Sequence, residues 1–265
     1  MYNLSKFAAR TGRIGRPLPD LYPVLKRNKI QFRHGATSML AGRPGTYKTV
    51  IALNLMYGWA KTGMEILYFC ADSDEATVAK RVSSIATGDS ADVVEKSFNT
   101  NNVGRYETAL QPIDGVRFVY RQLDMEGIAN QVFTFEAVYG DFPDVIFVDN
   151  LIDFVPRPDD WGGMLLLTKE LKELARETKS HICILHHAKI DGDKDKGTPP
   201  KEWEIQGKIT QIPETVITVG SRMGIVTLDC VKNRNGPDDT GWLHFRVSDN
   251  FRLTDTTESL QAKMS

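Results

Sequence analysis

Gly42, Lys48 and Thr49 stand at the spacing G-x-x-x-x-[G]-K-[ST], and no other feature constrains this chain as tightly. Such a motif works only where a buried strand ends in a loop and a helix begins directly after it. Both flanks fit: an apolar run from Ser38 to Ala41 leads in, and Val50 to Trp59 has helical character. The segment Gly42-Arg43-Pro44-Gly45-Thr46-Tyr47-Lys48-Thr49 therefore reads as a phosphate-binding loop for a nucleotide such as ATP. Gly42 and Gly45 let backbone N–H groups turn inward, Lys48 supplies a point charge to the outer phosphates, and Thr49 offers a hydroxyl to Mg²⁺. The helix N-terminus adds partial positive charge. Tyr47 occupies a position where a third glycine is usual, and its Cβ penalises a positive φ there.

The remaining elements repeat a strand-then-helix pattern. Glu65 to Ala71 is an unbroken apolar strand, followed by Asp72-Ser-Asp-Glu as a helix opening and by Val78, Val82 and Ile85 as a buried helix face. Residues 87–115 read as polar loops around one short helix. Val116 to Tyr120 is a short strand, and Ile128, Val132 and Phe135 mark one side of a helix. Val145 to Asp149 is an apolar strand ending in a carboxylate. An irregular loop (155–163), an amphipathic helix (Met164 to Lys179), the strand His181 to His187 and a Lys-rich loop from Lys189 follow. Strands at Thr215 to Gly220, Ile225 to Lys232 and Trp242 to Val247 close the pattern. Strands alternating with helices and then a run of strands imply an α/β fold, a mostly parallel central sheet flanked by helices with a C-terminal antiparallel extension. The expected organisation is a basic N-terminal arm over residues 1–35, a single ATPase core over 36–254 and a polar, frayed tail over 255–265.

Overall charge is uninformative about partners: 33 Lys plus Arg face 34 Asp plus Glu, so any nucleic-acid contact must come from local patches. The three cysteines, Cys70, Cys183 and Cys230, each lie in an apolar run and read as reduced core residues. Without a membrane-length apolar stretch or a signal-peptide hydrophobic region, a soluble cytoplasmic protein is expected.

Ligands in parallel sheets sit at the carboxyl ends of the strands, where Gly42, Asp72, Asp149 and His187 all fall. Asp149 is the candidate metal residue opposite Thr49, since a carboxylate at the end of a buried strand can hold Mg²⁺ or its water. Asp72 is the candidate general base, with Glu75 as the fallback and helix capping as the competing role for Asp72. Successive strand residues face opposite ways, so one of His186 and His187 must look toward the site; His187 is the candidate γ-phosphate sensor. Lys232-Asn-Arg-Asn-Gly-Pro237 carries an Asn-Gly turn signal, placing Lys232 and Arg234 near a hairpin tip.

The ordered set Gly42-Arg-Pro-Gly-Thr-Tyr-Lys-Thr, Phe69-Cys-Ala-Asp72 with Arg81 downstream, Val148-Asp149, His186-His187 and Lys232-Asn-Arg-Asn-Gly resembles the RecA-like motor core of hexameric replicative helicases of the DnaB type. The paired histidines and compact length are more similar still to small phage and plasmid ring helicases of the RepA kind. The resemblance implies a RecA-like P-loop NTPase that hydrolyses ATP with Mg²⁺, forms a homo-oligomeric hexameric ring on single-stranded DNA and works with replication or recombination proteins. It also implies that Lys232 and Arg234 act in trans on a neighbour's nucleotide. DNA contact is expected from the loop 155–163, with Arg157 and Trp161, and from 189–208, with Lys189, Lys194, Lys196 and Lys201. Competing readings are a RecA- or KaiC-like ATPase without unwinding, a metal-dependent nuclease using Asp72, Asp74 and Asp149, and a small-molecule kinase.

Overall fold

A computed structural model describes residues 12–189, 196–237 and 240–264, so the first 11 residues of the expected arm and Lys194 lie outside the described residues. Nine strands form one sheet in the order β3-β2-β4-β5-β1-β6-β7-β8-β9: β1 (Thr37–Gly42), β2 (Ile66–Cys70), β3 (Val116–Val119), β4 (Val145–Asp149), β5 (His181–His187), β6 (Thr215–Arg222), β7 (Ile225–Asn233), β8 (Leu243–Val247) and β9 (Leu253–Asp255). Every pairing from β3 to β6 is parallel and every pairing from β6 to β9 is antiparallel. This is the expected parallel sheet with its antiparallel extension.

Alternation along the inner strands explains why both faces are covered. On β1, Leu40 joins one core while Met39 and Ala41 join the other; on β5, Cys183 and Leu185 alternate with Ile182 and Ile184 in the same way. The first core is built on α2 (Lys48–Ala60) and α3 (Glu75–Thr87), the second on α6 (Met125–Tyr139) and α7 (Trp161–Thr178). The helix α2 is buried nearly all round, which matches its run of apolar residues from Val50 to Ala60. Cys70, Cys183 and Cys230 are buried free thiols.

Several expectations are corrected. The basic segment is not an arm apart from the core once past residue 17: Leu18, Val24, Leu25, Ile30 and Phe32 are buried in the first core, with α1 (Pro23–Arg27) lying against it. Apolar residues interleaved with the cations carry that packing, and the cations Lys26 and Arg27 pair with Asp20 and Glu258 at the surface. Residues 87–115 hold two α-helices, α4 (Ala91–Asn99) and α5 (Gly104–Leu110), each anchored by a single buried side chain, Val94 and Tyr106, and a 3-10 turn (Gln111–Ile113) anchored by Ile113. So few apolar residues give little periodicity to read. Past β9 the chain is helical as α8 (Thr257–Met264), and Thr257 is buried.

Candidate active site

Strand register assembles the site. Gly42 of β1 pairs with His187 of β5, and Cys70 of β2 pairs with Asp149 of β4, so four strand ends present their residues on one edge of the sheet, the edge formed by the carboxyl ends of its parallel strands. Between them lies a cleft of about 430 Å³ lined by Pro44 to Val50, Asp72, Ser73, Arg81, Asn150, His187 and Phe251. That volume is within the range of small-ligand sites.

Gly42 is required because a Cβ there would lie 2.6 Å from Thr46 Oγ1 and 2.7 Å from the Val219 carbonyl oxygen. Thr46 closes the loop by donating to the Arg43 carbonyl at 2.8 Å. Tyr47, the N-cap of α2, adopts the left-handed region at φ 65°, and its side chain is 37% exposed on the cleft. Holding a tyrosine there costs on the order of 1–2 kcal/mol. The glycine geometry is thus kept and the phenol is added to it.

Lys48 is 6% exposed, and its ammonium donates to the Gly42 and Arg43 carbonyls at 3.0 and 3.2 Å. Burial lowers its pKa to about 8, with Asp149 and Asp72 opposing that shift. His187 Nδ1 lies 3.4 Å from Lys48 Nζ. Burial and the neighbouring Lys48 charge push the imidazole down to about 4, so the ring is neutral near pH 7. A neutral ring accepting from an ammonium at Nδ1 carries its proton on Nε2; the Gly42 carbonyl also draws a ring N–H. His186 faces the other way, wholly buried, with Nε2 against the Gln206 carbonyl at 3.1 Å.

Asp149 is 1% exposed. Burial raises its carboxyl to about 6, while the hydrogen bond from Tyr68, the nearby Thr49 hydroxyl and the Lys48 charge pull the other way. The Tyr68 hydroxyl donates to Oδ2 at 2.8 Å, and Oδ1 has no hydrogen-bond partner among the described residues. A buried carboxylate oxygen left over beside a Thr hydroxyl fits a magnesium ion held directly or through water. Bound there, the ion would neutralise charge on the outer phosphates.

Asp72 is exposed on the cleft, 3.5 Å from Asn150 Nδ2. It does not cap α3; Asp74 does, with both carboxylate oxygens on Thr77. Asp74 is thereby committed to the helix end, which removes it from the acidic cluster a nuclease would need. Glu75 opens α3 but does not line the cleft. Nor does the Arg43 side chain, which turns to Glu204 and Thr198.

Lys232 and Arg234 lie at the opposite edge of the sheet. Asn233 pairs with Thr215 at the start of β6, and the Arg234 N–H donates to the Glu214 carbonyl. Lys232 Nζ donates to the Thr210 carbonyl at 2.7 Å, whereas Arg234 is exposed. The Asn-Gly pair makes no tight hairpin: Gly236 lies against Lys29, where a Cβ would sit 2.8 Å from its carbonyl oxygen. Neither cation reaches its own chain's nucleotide cleft.

A second cleft, of about 480 Å³, is lined by Trp161, Lys189, Trp203, Ile205, Gln206, Gly207 and Lys208. Trp161 is 42% and Trp203 75% exposed. Trp161 is the first residue of α7, not part of the preceding loop. Lys201 pairs with Asp229 at 3.6 Å.

The family profile described as AAA domain (AAA_25) matches residues 8–193. The chain belongs to the AAA-domain family. Among relatives of this AAA domain, the Gene 65 protein of Mycobacterium phage L5 is 29% identical over 261 residues, covering 92% of this chain and 95% of the relative. The Gene 65 protein of Mycobacterium phage D29 is 31% identical over 216 residues, covering 76% and 89%. The fold is that of DnaB-like helicase ATPase domains. A DnaB-like replicative helicase, solved with regard to its interactions with primase, superposes with a TM-score of 0.77 at 14% identity, over 95% of this chain and 64% of that one. A solved structure consisting of an ATPase domain alone gives 0.78 at 14% identity, over 95% of both chains. The KaiC-like protein PH0186 of Pyrococcus horikoshii gives 0.61 at 13% identity, over 92% and 98%.

Tyr68, Asn150, Phe251 and Trp203 carry no role in the sequence reading. Trp203 stands out in a Lys-rich polar stretch and could have been picked; Phe251 reaches the cleft from a turn some 200 residues away, with no local signal.

Proposed function

We propose that this AAA domain is an ATP-hydrolysing motor of the helicase type, which assembles as a homo-oligomeric, hexameric ring on single-stranded DNA. The observation that carries the reading is the split of its catalytic set. Lys48, Thr49, Asp149 and His187 converge on one edge of the sheet, while Arg234 is exposed on the opposite edge. An arginine that completes phosphoryl-transfer chemistry from another subunit needs that arrangement, because head-to-tail packing brings one copy's far edge to the next copy's cleft.

In this reading the loop amides and Lys48 hold the phosphates of ATP, and Thr49 and Asp149 hold magnesium. Asp72 orients and deprotonates the attacking water, Glu75 having no access to the cleft. His187 donates Nε2–H to the γ-phosphate and registers its loss, and Arg234 of the next copy offsets charge on the transferring group. Tyr47 and Phe251 border the base end of the nucleotide. Trp161 and Trp203 stack on bases of the strand while Lys189 and Lys208 meet its phosphates; aromatic faces framed by cations suit sequence-independent binding. The fit to DnaB-like ATPase domains exceeds that to the KaiC-like protein, which supports the motor over a non-unwinding ATPase.

The test is ATP hydrolysis with and without oligo-dT, followed by strand separation on a tailed duplex. Stimulation together with separation supports the motor. Stimulation without separation moves the chain to the class of ATPases that assemble on DNA without unwinding it.

A further inference from the structure

Arg43 belongs to the phosphate loop by sequence, yet its guanidinium serves a different part of the molecule. Nη2 donates to Glu204 Oε1 at 3.2 Å and Nη1 to the Thr198 carbonyl at 3.1 Å, with the Arg43 and Glu204 side chains only 5% and 10% exposed. Arg43 Nε has no partner among the described residues. Burying an ion pair with an unsatisfied donor is a poor way to gain stability, since desolvation cancels much of the attraction.

What the pair does achieve is a connection. On one side, Lys48 Nζ and Thr46 Oγ1 both donate to the Arg43 carbonyl, so the residue that would hold the outer phosphates also holds the Arg43 backbone. On the other, the Glu204 carbonyl accepts from the Lys189 N–H at 2.8 Å, and Glu204 is flanked in the chain by Trp203 and Ile205. Lys189, Trp203 and Ile205 all line the two-tryptophan cleft. One side chain from the nucleotide loop thus fixes the segment that shapes the second cleft.

We propose that the Arg43–Glu204 pair is the positioning contact that makes nucleotide state and single-strand binding depend on each other; this rests on the reading of the two clefts given above. Phosphates that draw Lys48 off the Gly42 and Arg43 carbonyls free the loop backbone to shift. The guanidinium passes that shift to Glu204 and to its tryptophan neighbour. Coupling of this kind is reciprocal: whatever factor the nucleotide imposes on DNA affinity, DNA imposes on nucleotide affinity.

The experiment uses the full chain and tryptophan fluorescence to measure oligo-dT affinity with ADP and with a non-hydrolysable ATP analogue. The ratio of the two dissociation constants is the coupling factor, expected to be about tenfold in the parent. Glu204→Gln should bring it below about twofold, while oligo-dT affinity with ADP and analogue affinity without DNA each stay within about threefold of the parent. Arg43→Lys keeps the charge but loses the two-pronged donor and should give an intermediate factor, which covers the case of Glu204→Gln failing to fold. A parental factor in both variants, a parent with a factor of one, or loss of both separate affinities in step with melting temperature overturns the proposal. A parent that binds no nucleotide or no oligo-dT overturns the functional reading beneath it instead.

Discussion

Tyr68 on β2 donates its hydroxyl to Asp149 Oδ2 on the neighbouring β4 over 2.8 Å, deep in the sheet where both residues are all but inaccessible. The bond helps keep the carboxylate ionised against the cost of burial, which raises Asp149 from 3.8 to about 6. An acid whose folded pKa lies above its unfolded value binds its proton more tightly when folded. The unfolded chain releases that proton first, so Asp149 makes metal-free stability fall as pH rises from about 4 to 6. Denaturant unfolding should show Asp149→Asn gaining roughly 2–3 kcal/mol on the parent across that window. Tyr68→Phe should steepen the parental loss, and a constant difference between the parent and Asp149→Asn would mean the carboxylate is not held as described.

Lys48 is the residue whose loss should silence the protein. Lys48→Ala is expected to abolish hydrolysis and sharply weaken nucleotide binding with the fold intact. Its lowered pKa adds a pH signature: phosphate needs the ammonium, which is fully present below about 8 and is lost above it. Nucleotide affinity should therefore drop about tenfold per unit above pH 8, until the pKa of the bound state is reached. Lys48→Arg should remove that dependence, whatever its affinity. Isothermal titration from pH 7 to 9.5 checks it, and a flat parental profile counts against Lys48 as the phosphate-binding cation.

Tyr47 and Phe251 test the base end of the cleft. Tyr47→Gly relieves a left-handed tyrosine and should raise stability by about 1 kcal/mol. Phe251→Ala should weaken ATP binding about five- to tenfold, leaving tripolyphosphate affinity unchanged, because in the proposed nucleotide pose the ring borders only the base. Equal losses for both ligands would place Phe251 against the phosphates.

How much of this can be read in the sequence follows from how local each feature is. The loop from Gly42 to Thr49, the strand ending at Asp149 and the opposed histidines are written in consecutive residues and in the period-two alternation of buried strands. Sheet order and register, which set Tyr68 beside Asp149 and Gly42 beside His187, depend on pairings between segments far apart and leave no local mark. The burial of Leu18 and Phe32 is hidden by the cations around them, and Arg43 reads as a nucleotide contact because its partner Glu204 lies 161 residues on.

The second cleft makes a quantitative claim about DNA. Trp203→Ala should cost about 1–3 kcal/mol in oligo-dT binding with little effect on salt dependence, since stacking carries no charge. Neutralising Lys189 and Lys208 together should reduce the log–log salt slope by about 1.4, at roughly 0.7 per phosphate contact on a single strand. Basal hydrolysis should survive both while stimulation by DNA falls. Lys201, paired with Asp229, should contribute less than either. An unchanged slope would move the strand away from this cleft.

Arg234 decides whether the site is shared between copies. Arg234→Ala and Asp149→Asn should each inactivate a homogeneous assembly, but from opposite edges of the sheet, since Arg234 lies beside the start of β6 and Asp149 at the end of β4. Mixing the two inactive variants creates some interfaces in which an intact Asp149 faces an intact Arg234. Hydrolysis should reappear in the mixture, and it should rise with total protein concentration because assembly follows mass action. Lys232, tied to Thr210 in its own chain, should fail this complementation: Lys232→Ala acts by loosening the segment beneath α7 and should lower melting temperature as well as activity. A mixture of the Arg234 and Asp149 variants that stays inactive while light scattering shows both in one particle would leave Arg234 without a nucleotide to serve, because the fold holds it away from its own.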